Sequence, residues 1–523
     1  MLPLLSASAM QAADRETIEK WGLDGFTLME SAGRAAAQQL MFDFDPKSVG
    51  ICCGKGNNGG DGLVMARVLQ ARGIASTLIL VGDFERSTPE VSRNLALIHM
   101  LNAQLPEAER ITILAFSGDF SAFARIRAEV WVDALLGTGL QSEVRGAYRA
   151  MVDWLNAQPE PVVAIDVPSG LDATTGKQRG TAVRAWTTYT MGAEKIGLRL
   201  ADGRTHAGTI RVLEMGIPMP VLQQVATDFP DCGWMPTLPE LRSWIPARSA
   251  DAQKYEAGYL GVLAGSVGMT GAAILAGTAA ERCGAGGVIV CTPASAQPAL
   301  SLQTITLMTR ALPETTSGGL SREAESVWAE AIEKVRALLI GPGLGQNPET
   351  AAWVRSRLAE TVLPLVLDAD GLNALADDPA VLYAGTPKNW VLTPHWGEFK
   401  RLADTPVDAE NRLQHARDFA RKWCCVVALK GFPGLIAAPD GRVFLNTTGN
   451  PAAATAGTGD VLAGSIAAWM AQGLDPLRAA VLGYHVAGRA ADEYIQTHPP
   501  HSMTAADLWK TMPIALQTIL ESH

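Results

Sequence analysis

Two aspartates stand where the chain could move a proton beside a bound anion. Asp460 closes the stretch Thr455-Ala-Gly-Thr-Gly-Asp460. Gly457 and Gly459 permit a tight turn, because glycine takes positive φ without steric cost. Val461, Leu462, Ser465, Ile466 and Trp469 then recur at helical spacing, which predicts a helix from near Asp460. A glycine turn running into a helix N-terminus offers free N–H groups and the positive dipole end to an anion. Asp460 is therefore either an N-cap or a general base beside a phosphate, as in kinases of small hydroxylated metabolites. Asp166 closes another apolar run in Pro161-Val-Val-Ala-Ile-Asp-Val-Pro-Ser-Gly-Leu-Asp172, with Ser169 close behind.

The elements that would position Asp166 lie upstream. Residues 10–42 read as helical, and Val49-Gly-Ile-Cys-Cys53 as a buried strand. That strand enters Gly54-Lys-Gly-Asn-Asn-Gly-Gly-Asp-Gly62, and Leu63 opens a further helix. Strand, glycine loop and helix form the layout of a phosphate-binding turn. Gly54, Gly56 and Gly59 satisfy G-x-G-x-x-G, and Asp83 follows the strand Thr77–Val81. As a bare pattern this is weak. Asn57, Asn58 and Asp61 add side-chain oxygens suited to a ligand or a hard cation, against the plainer reading of a structural turn. Val130-Trp-Val-Asp-Ala-Leu-Leu-Gly-Thr-Gly139 repeats the theme with Asp133. In an open parallel sheet such loops converge outside the carboxyl ends of the strands.

Gly216-Ile-Pro-Met-Pro220 and Asp228-Phe-Pro-Asp-Cys-Gly-Trp-Met-Pro236 mark a proline-rich junction. Beyond it, strand-like runs at 259–263, 287–291, 337–340, 365–368, 390–393 and 425–429 alternate with helical stretches, which predicts a second doubly wound α/β domain. A hairpin through Pro439-Asp-Gly441 adds antiparallel strands. The loops after these strands hold Gly265–Ala272, Gly341-Pro-Gly-Leu-Gly345, Asp368-Ala-Asp-Gly-Leu-Asn373, Thr393-Pro-His-Trp-Gly-Glu398 and Lys430-Gly431.

At 523 residues the chain holds two to four domains, at roughly 150 residues each. Its net charge of −10 argues against nucleic acid or an anionic membrane as partner. Seven cysteines without a CxxC pair read as reduced thiols of a cytoplasmic protein. The apolar N-terminus lacks the basic region of a signal peptide. The uncharged stretch 261–280 is broken by glycines, so no membrane span is expected.

Asn57-Asn-Gly-Gly-Asp-Gly62, Val132-Asp-Ala-Leu-Leu-Gly-Thr-Gly139 and Ile165–Asp172 resemble the epimerase domain of bifunctional NAD(P)H-hydrate repair enzymes, over nearly all of residues 1–217. The resemblance implies a Rossmann-like fold. It implies a hydrated dinucleotide held by Asn57, Asn58, Gly59, Gly60 and Asp61, by Gly137, Thr138, Gly139, Leu140, Gln141, Ser142 and Glu143, and by Asp166. Asp166 would be the acid/base, and K+ would be held by Asn58, Asp133 and Ser169. Glu194-Lys-Ile-Gly-Leu198 departs from the usual Lys-Pro-Gly-Leu and reads as structural.

The C-terminal motifs resemble the ribokinase-like dehydratase domain of the same enzymes. The implied division is an epimerase domain at 1–217, a linker at 218–235 and a dehydratase domain at 236–523. The family removes water from the S-hydrates NADHX and NADPHX, using ADP in bacteria and archaea or ATP in eukaryotes. Carried over, Ala272, Gly343, His395 and Asp460 contact the hydrate. Lys430, Gly431, Phe432, Pro433, Gly434 and Gly459 line the nucleotide, with Mg2+ accompanying ADP. Three departures stand out: Gln253-Lys254 for His-Lys, Trp396 for Pro, and Gly434 where Thr is usual. The last puts nucleotide affinity in question. A homo-oligomer acting on small molecules is expected. The rival readings are a vitamin or sugar kinase with a dinucleotide-binding N-terminal domain, an NAD-dependent dehydrogenase using Asp83, and a non-catalytic dinucleotide-binding scaffold.

Overall fold

The computed structural model describes residues 1–116, 118–123, 126–248, 257–379, 388–403 and 405–522. They divide into two compact units, one spanning Leu2–Gly233 and the other running from Trp234 onward with Met1.

The strands of the N-terminal unit are β1 (Leu2–Leu5), β2 (Ser48–Gly54), β3 (Ala75–Val81), β4 (Thr112–Phe116), β5 (Val130–Ala134), β6 (Val162–Ile165), β7 (Thr187–Met191), β8 (Glu194–Lys195) and β9 (Thr209–Leu213). Seven form a parallel sheet in the order β4-β3-β2-β5-β6-β7-β9. Both faces are covered, so the central strands read as continuous apolar runs. One face packs Ile51, Val132 and Ile165 against Leu63, Val64 and Leu40. The other packs Trp131 and Cys52 against Met151 and Leu155. Fully burying each large aliphatic side chain contributes about 1.5–3 kcal/mol. The chain order reverses between β2 and β5, which places the ligand crevice at their carboxyl ends. Register pairs Cys52 with Asp133 and Asp133 with Ala164, so the loops after β2, β5 and β6 leave the sheet at one level.

The helical stretch expected at 10–42 is two helices, Ala7–Glu19 and Gly25–Phe44. Gly22 at φ +76° breaks the run, and Asp24 caps the second helix by accepting from Thr27 N at 3.0 Å. In the 218–235 stretch read as a linker, Met219–Asp228 is a helix with Val221, Leu222, Val225 and Ala226 buried. Its prolines stand at and just before its first turn, where a missing N–H breaks no helical bond.

The second unit is built on β10 (Gly233–Met235), β11 (Tyr259–Leu263), β12 (Gly287–Pro293), β13 (Met308–Leu312), β14 (Ala337–Ile340), β15 (Leu365–Leu367), β16 (Trp390–Leu392), β17 (Val426–Leu429), β18 (Gly434–Ala437) and β19 (Val443–Asn446). Their order is β13-β12-β11-β14-β15-β16-β17-β18-β19-β10. Pairing is parallel as far as β17, then antiparallel through the expected hairpin. The order reverses again, between β11 and β14. The helix Thr458–Ala471 has every residue from Val461 to Ala471 buried and packs against the helix Thr270–Arg282. Gly464 makes that approach possible, since a Cβ there would overlap the Ala276 carbonyl.

Among the described residues no helix is long and apolar enough to cross a membrane. None of the seven cysteines is in a disulfide, and six are buried.

Candidate functional site

In the N-terminal unit, the helix Asn57–Gln70 starts at the crevice between β2 and β5. Its N-cap is Gly56, which has no side chain to satisfy the first N–H groups. Those amides are left to an anion. A Cβ on Gly59 would overlap the Gly54 carbonyl, and one on Gly60 would meet Met29, so these two glycines let the turn close against the core. Asn57 is exposed and accepts from Thr88 Oγ1 at 3.1 Å. Asn58 is 7 % exposed, yet neither its Oδ1 nor its Nδ2 has a partner.

Asp166 has φ +66°, a left-handed conformation uncommon for a residue other than glycine. It follows β6 directly, and its N–H donates to Tyr189 O at 2.7 Å. Gly137 lies between it and Asn58, since a Cβ on Gly137 would stand 3.3 Å from Asp166 Oδ2 and 3.4 Å from Asn58 Cβ. Thr138 and Leu140 are half-buried, while Gly139, Gln141, Ser142 and Glu143 are exposed along the same loop. Asp133 and Ser169 meet: Ser169 Oγ donates to Asp133 Oδ1 at 2.6 Å and Ser169 N to Oδ2 at 2.7 Å. Burial nevertheless pushes the Asp133 carboxyl up to about 6.

The segment Glu194–Leu198, whose departure from the motif reads as structural, also brings a side chain to Asp166. Lys195 Nζ lies 2.5 Å from Asp166 Oδ1, with the lysine side chain 1 % exposed. Asp14, on the first helix, was also missed. Burial raises its carboxyl to about 6, with Lys195 opposing and Asp166 adding to the rise. Asp61 is pushed well up by burial, then by the Asp166 and Asp14 charges, against Lys195. Glu194-Lys195 is a charged pair inside an apolar stretch, which is the signal that could have found Lys195. Asp14 sits in an ordinary amphipathic pattern and carried none.

Asp83 is committed locally, capping a short helix through Glu85 N at 3.1 Å and pairing with Arg86.

In the second unit the helix N-cap is Gly457 at φ +91°, so Asp460 is the third helical residue and not the cap. Thr458 Oγ1 ties the turn to the Ala453 and Thr455 carbonyls, each at 2.9 Å. Burial raises the Asp460 carboxyl to about 7, with Asp368 and Asp370 adding and Lys430 opposing. Lys430 Nζ lies 2.5 Å from Asp368 Oδ1 and next to Gly459, where a Cβ would be 3.0 Å from it. Burial works against the Lys430 charge, but Asp368, Glu398 and Asp460 together hold its pKa above the usual lysine value. The ends of β15, β16 and β17 thus converge with the helix on one charged cluster.

Ala272 and Gly343 come together at the β11/β14 crevice, where a Cβ on Gly343 would lie 2.9 Å from Ala272 Cβ. Gly265 N donates to Pro342 O at 2.8 Å, and Ser266 Oγ to Gly343 O at 2.9 Å, locking the two loops. His395 is exposed and caps the helix Trp396–Leu402, its Nδ1 accepting from Gly397 N at 2.9 Å. An accepting Nδ1 leaves the neutral ring's proton on Nε2. Trp396 stacks on Phe399, with centroids 5.6 Å apart.

In the turn after Lys430, Gly431 and Phe432 are exposed whereas Pro433 and Gly434 are buried. The Tyr484 ring fills the space a side chain on Gly434 would need, and its hydroxyl lies 3.2 Å from both N and O of Gly431. Gln253 and Lys254 lie outside the described residues.

Fold and sites together define a two-unit α/β enzyme, Rossmann-like in its N-terminal unit and with a second, mostly parallel sheet in the other. A family model described as NAD(P)H-hydrate dehydratase matches residues 260–514, and one described as YjeF-related protein N-terminus matches residues 25–197. A bifunctional NAD(P)H-hydrate repair enzyme of Salinibacter ruber is 45% identical over 98% of this chain and 95% of its own. The corresponding enzyme of Moorella thermoacetica is 38% identical over 99% and 97%, and that of Escherichia coli 32% over 97% and 92%. The solved ADP/ATP-dependent NAD(P)H-hydrate dehydratase of Bacillus subtilis, co-crystallized with ATP/Mg2+, is 31% identical. It covers 54% of this chain and 97% of its own, with a TM-score of 0.46. The chain belongs to the bifunctional NAD(P)H-hydrate repair enzymes.

Proposed function

We propose that this chain repairs hydrated NADH and NADPH. Its N-terminal unit interconverts the R and S hydrates, and its second unit dehydrates the S form at the expense of ADP. The observation that carries the reading is Asp460, a carboxyl raised to about 7 in the first turn of a buried helix, beside Gly459 and Lys430.

Hydroxide is a poor leaving group, so the hydroxyl on C6 of the nicotinamide ring must be converted before it departs. Asp460 takes the hydroxyl proton as the oxygen attacks the β-phosphorus of ADP, and AMP leaves. A base near neutrality suits this step. The N–H groups at Thr458 and Gly459, with Lys430, stabilise the charge on the transferring phosphoryl group. Phosphate then departs with a C5 proton and restores the reduced ring. His395 offers Nε2–H to the hydrate, while Ala272 and Gly343 let it approach the backbone. Gly431 and Phe432 are the accessible part of the turn assigned to the nucleotide.

Magnesium supplies charge neutralisation on the phosphates. Among the described residues no group of three or more His, Cys, Asp or Glu could hold a metal. In the N-terminal unit the unpartnered Asn58 amide fits a hard cation, and potassium there, with Asp133 and Ser169, would offset dinucleotide phosphate charge. Asp166 serves as base and then acid. It takes the C6 hydroxyl proton as the C6–N1 bond opens to an aldehyde, and delivers it to N1. The transfer reverses as the ring recloses on the other face.

The test is incubation with mixed NADHX epimers, with and without ADP, following NADH absorbance and epimer ratio. NADH from both epimers with ADP, and interconversion alone without it, is the expected result. Accumulation of a stable phosphorylated product would turn the reading to a kinase.

A further inference from the structure

We infer that Lys195 is the positioning residue of the epimerase site, pinning one oxygen of Asp166 so that the other handles the proton. The inference rests on the assignment of Asp166 made above. A carboxylate has two equivalent oxygens and swings freely unless one is held. Here Oδ1 is held, by Lys195 Nζ at 2.5 Å and by Met191 N at 3.3 Å. Oδ2 faces the space beside Gly137 and Asn58. In Asn58 that space has a buried side chain whose amide is unpartnered on both atoms.

The lysine is itself fixed. Its side chain is 1 % exposed. Its ammonium also donates to Met191 O at 2.6 Å, and its backbone is registered by β8 against Leu5 of β1. An ammonium taken fully out of water is costly unless it is paired and hydrogen-bonded. Lys195 meets both conditions through Asp166 and the Met191 carbonyl at the end of β7. Asp14 and Asp61 both feel the Lys195 and Asp166 charges. Removing the ammonium would leave Oδ1 of Asp166 with the weaker Met191 N–H contact at 3.3 Å and the carboxylate free to swing.

The experiment is a double-mutant cycle on the full chain, with R-to-S interconversion followed chromatographically in the absence of ADP. Lys195→Met should lower kcat ~10²-fold, the scale of a misplaced reacting group. KM should move less than about threefold, because substrate contacts remain. On the Asp166→Asn background, adding Lys195→Met should change kcat less than about twofold, since residues acting through one another are not additive. If Lys195→Met does not yield folded protein by circular dichroism, Lys195→Gln carries the same cycle. The inference is overturned if kcat stays near the parent's, or if it falls by the same factor on both backgrounds, as a merely structural lysine requires. A parent enzyme that does not interconvert the epimers, or an Asp166→Asn variant as fast as the parent, would overturn the Asp166 assignment instead.

Discussion

The ammonium of Lys430 lies 2.5 Å from Oδ1 of Asp368, across 62 residues of sequence, and stands against the position where a side chain on Gly459 would begin. The pair holds a fixed positive charge next to Asp460 without neutralising it. Asp460 consequently balances near neutrality, raised by burial and by Asp368 but restrained by Lys430.

Asp460→Asn preserves shape and removes the base. Turnover of purified S-hydrate should fall by ~10²–10⁴-fold, the usual worth of a general base. Binding of ADP, measured by calorimetry, should persist. Near-normal NADH production by this variant would sink the mechanism.

The pH dependence follows from the same carboxyl. The base form of Asp460 is the ionised one, and it forms as pH rises through about 7. The rate of S-hydrate dehydration should climb with pH toward a plateau above that value. Single-turnover rates across the range measure it, and a rate that falls over the same interval contradicts the role.

Asp166→Asn should leave S-hydrate dehydration intact while clearance of the R form slows by ~10²–10⁴-fold, the usual worth of a general acid or base. NADH recovery from each purified epimer separates the two activities.

Gly434→Thr drives the new side chain into the Tyr484 ring. Overpacking of this kind costs about 1–3 kcal/mol. The variant should melt earlier and bind ADP no better, whereas pairing it with Tyr484→Ser should recover stability. A single variant as stable as the parent would show that the ring yields.

Lithium in place of potassium should slow epimerisation more than dehydration of pure S-hydrate, because the oxygen set of Asn58, Asp133 and Ser169 belongs to the N-terminal unit. Equal loss of both activities removes the argument for a cation there.

Local pattern in the sequence carried the two α/β units, the strand–loop–helix turns at Gly54 and Gly457, and the acids Asp166 and Asp460. These features depend on neighbours within one turn or one strand, where periodicity and glycine placement act directly. The break at Gly22 and the helix Met219–Asp228 were hidden because capping and burial outweigh the appearance of a continuous helix or a proline-rich junction. Strand order decided the rest. Placing β7 beside β6 carries Lys195 back onto Asp166, and the β17–β18 hairpin under the helix Pro476–Ile495 sets Tyr484 over Gly434. Those pairs are 29 and 50 residues apart, read from Lys195 and Asp166 and from Tyr484 and Gly434. No short-range pattern specifies such a contact; it exists only once the sheets have closed and buried charges must find partners.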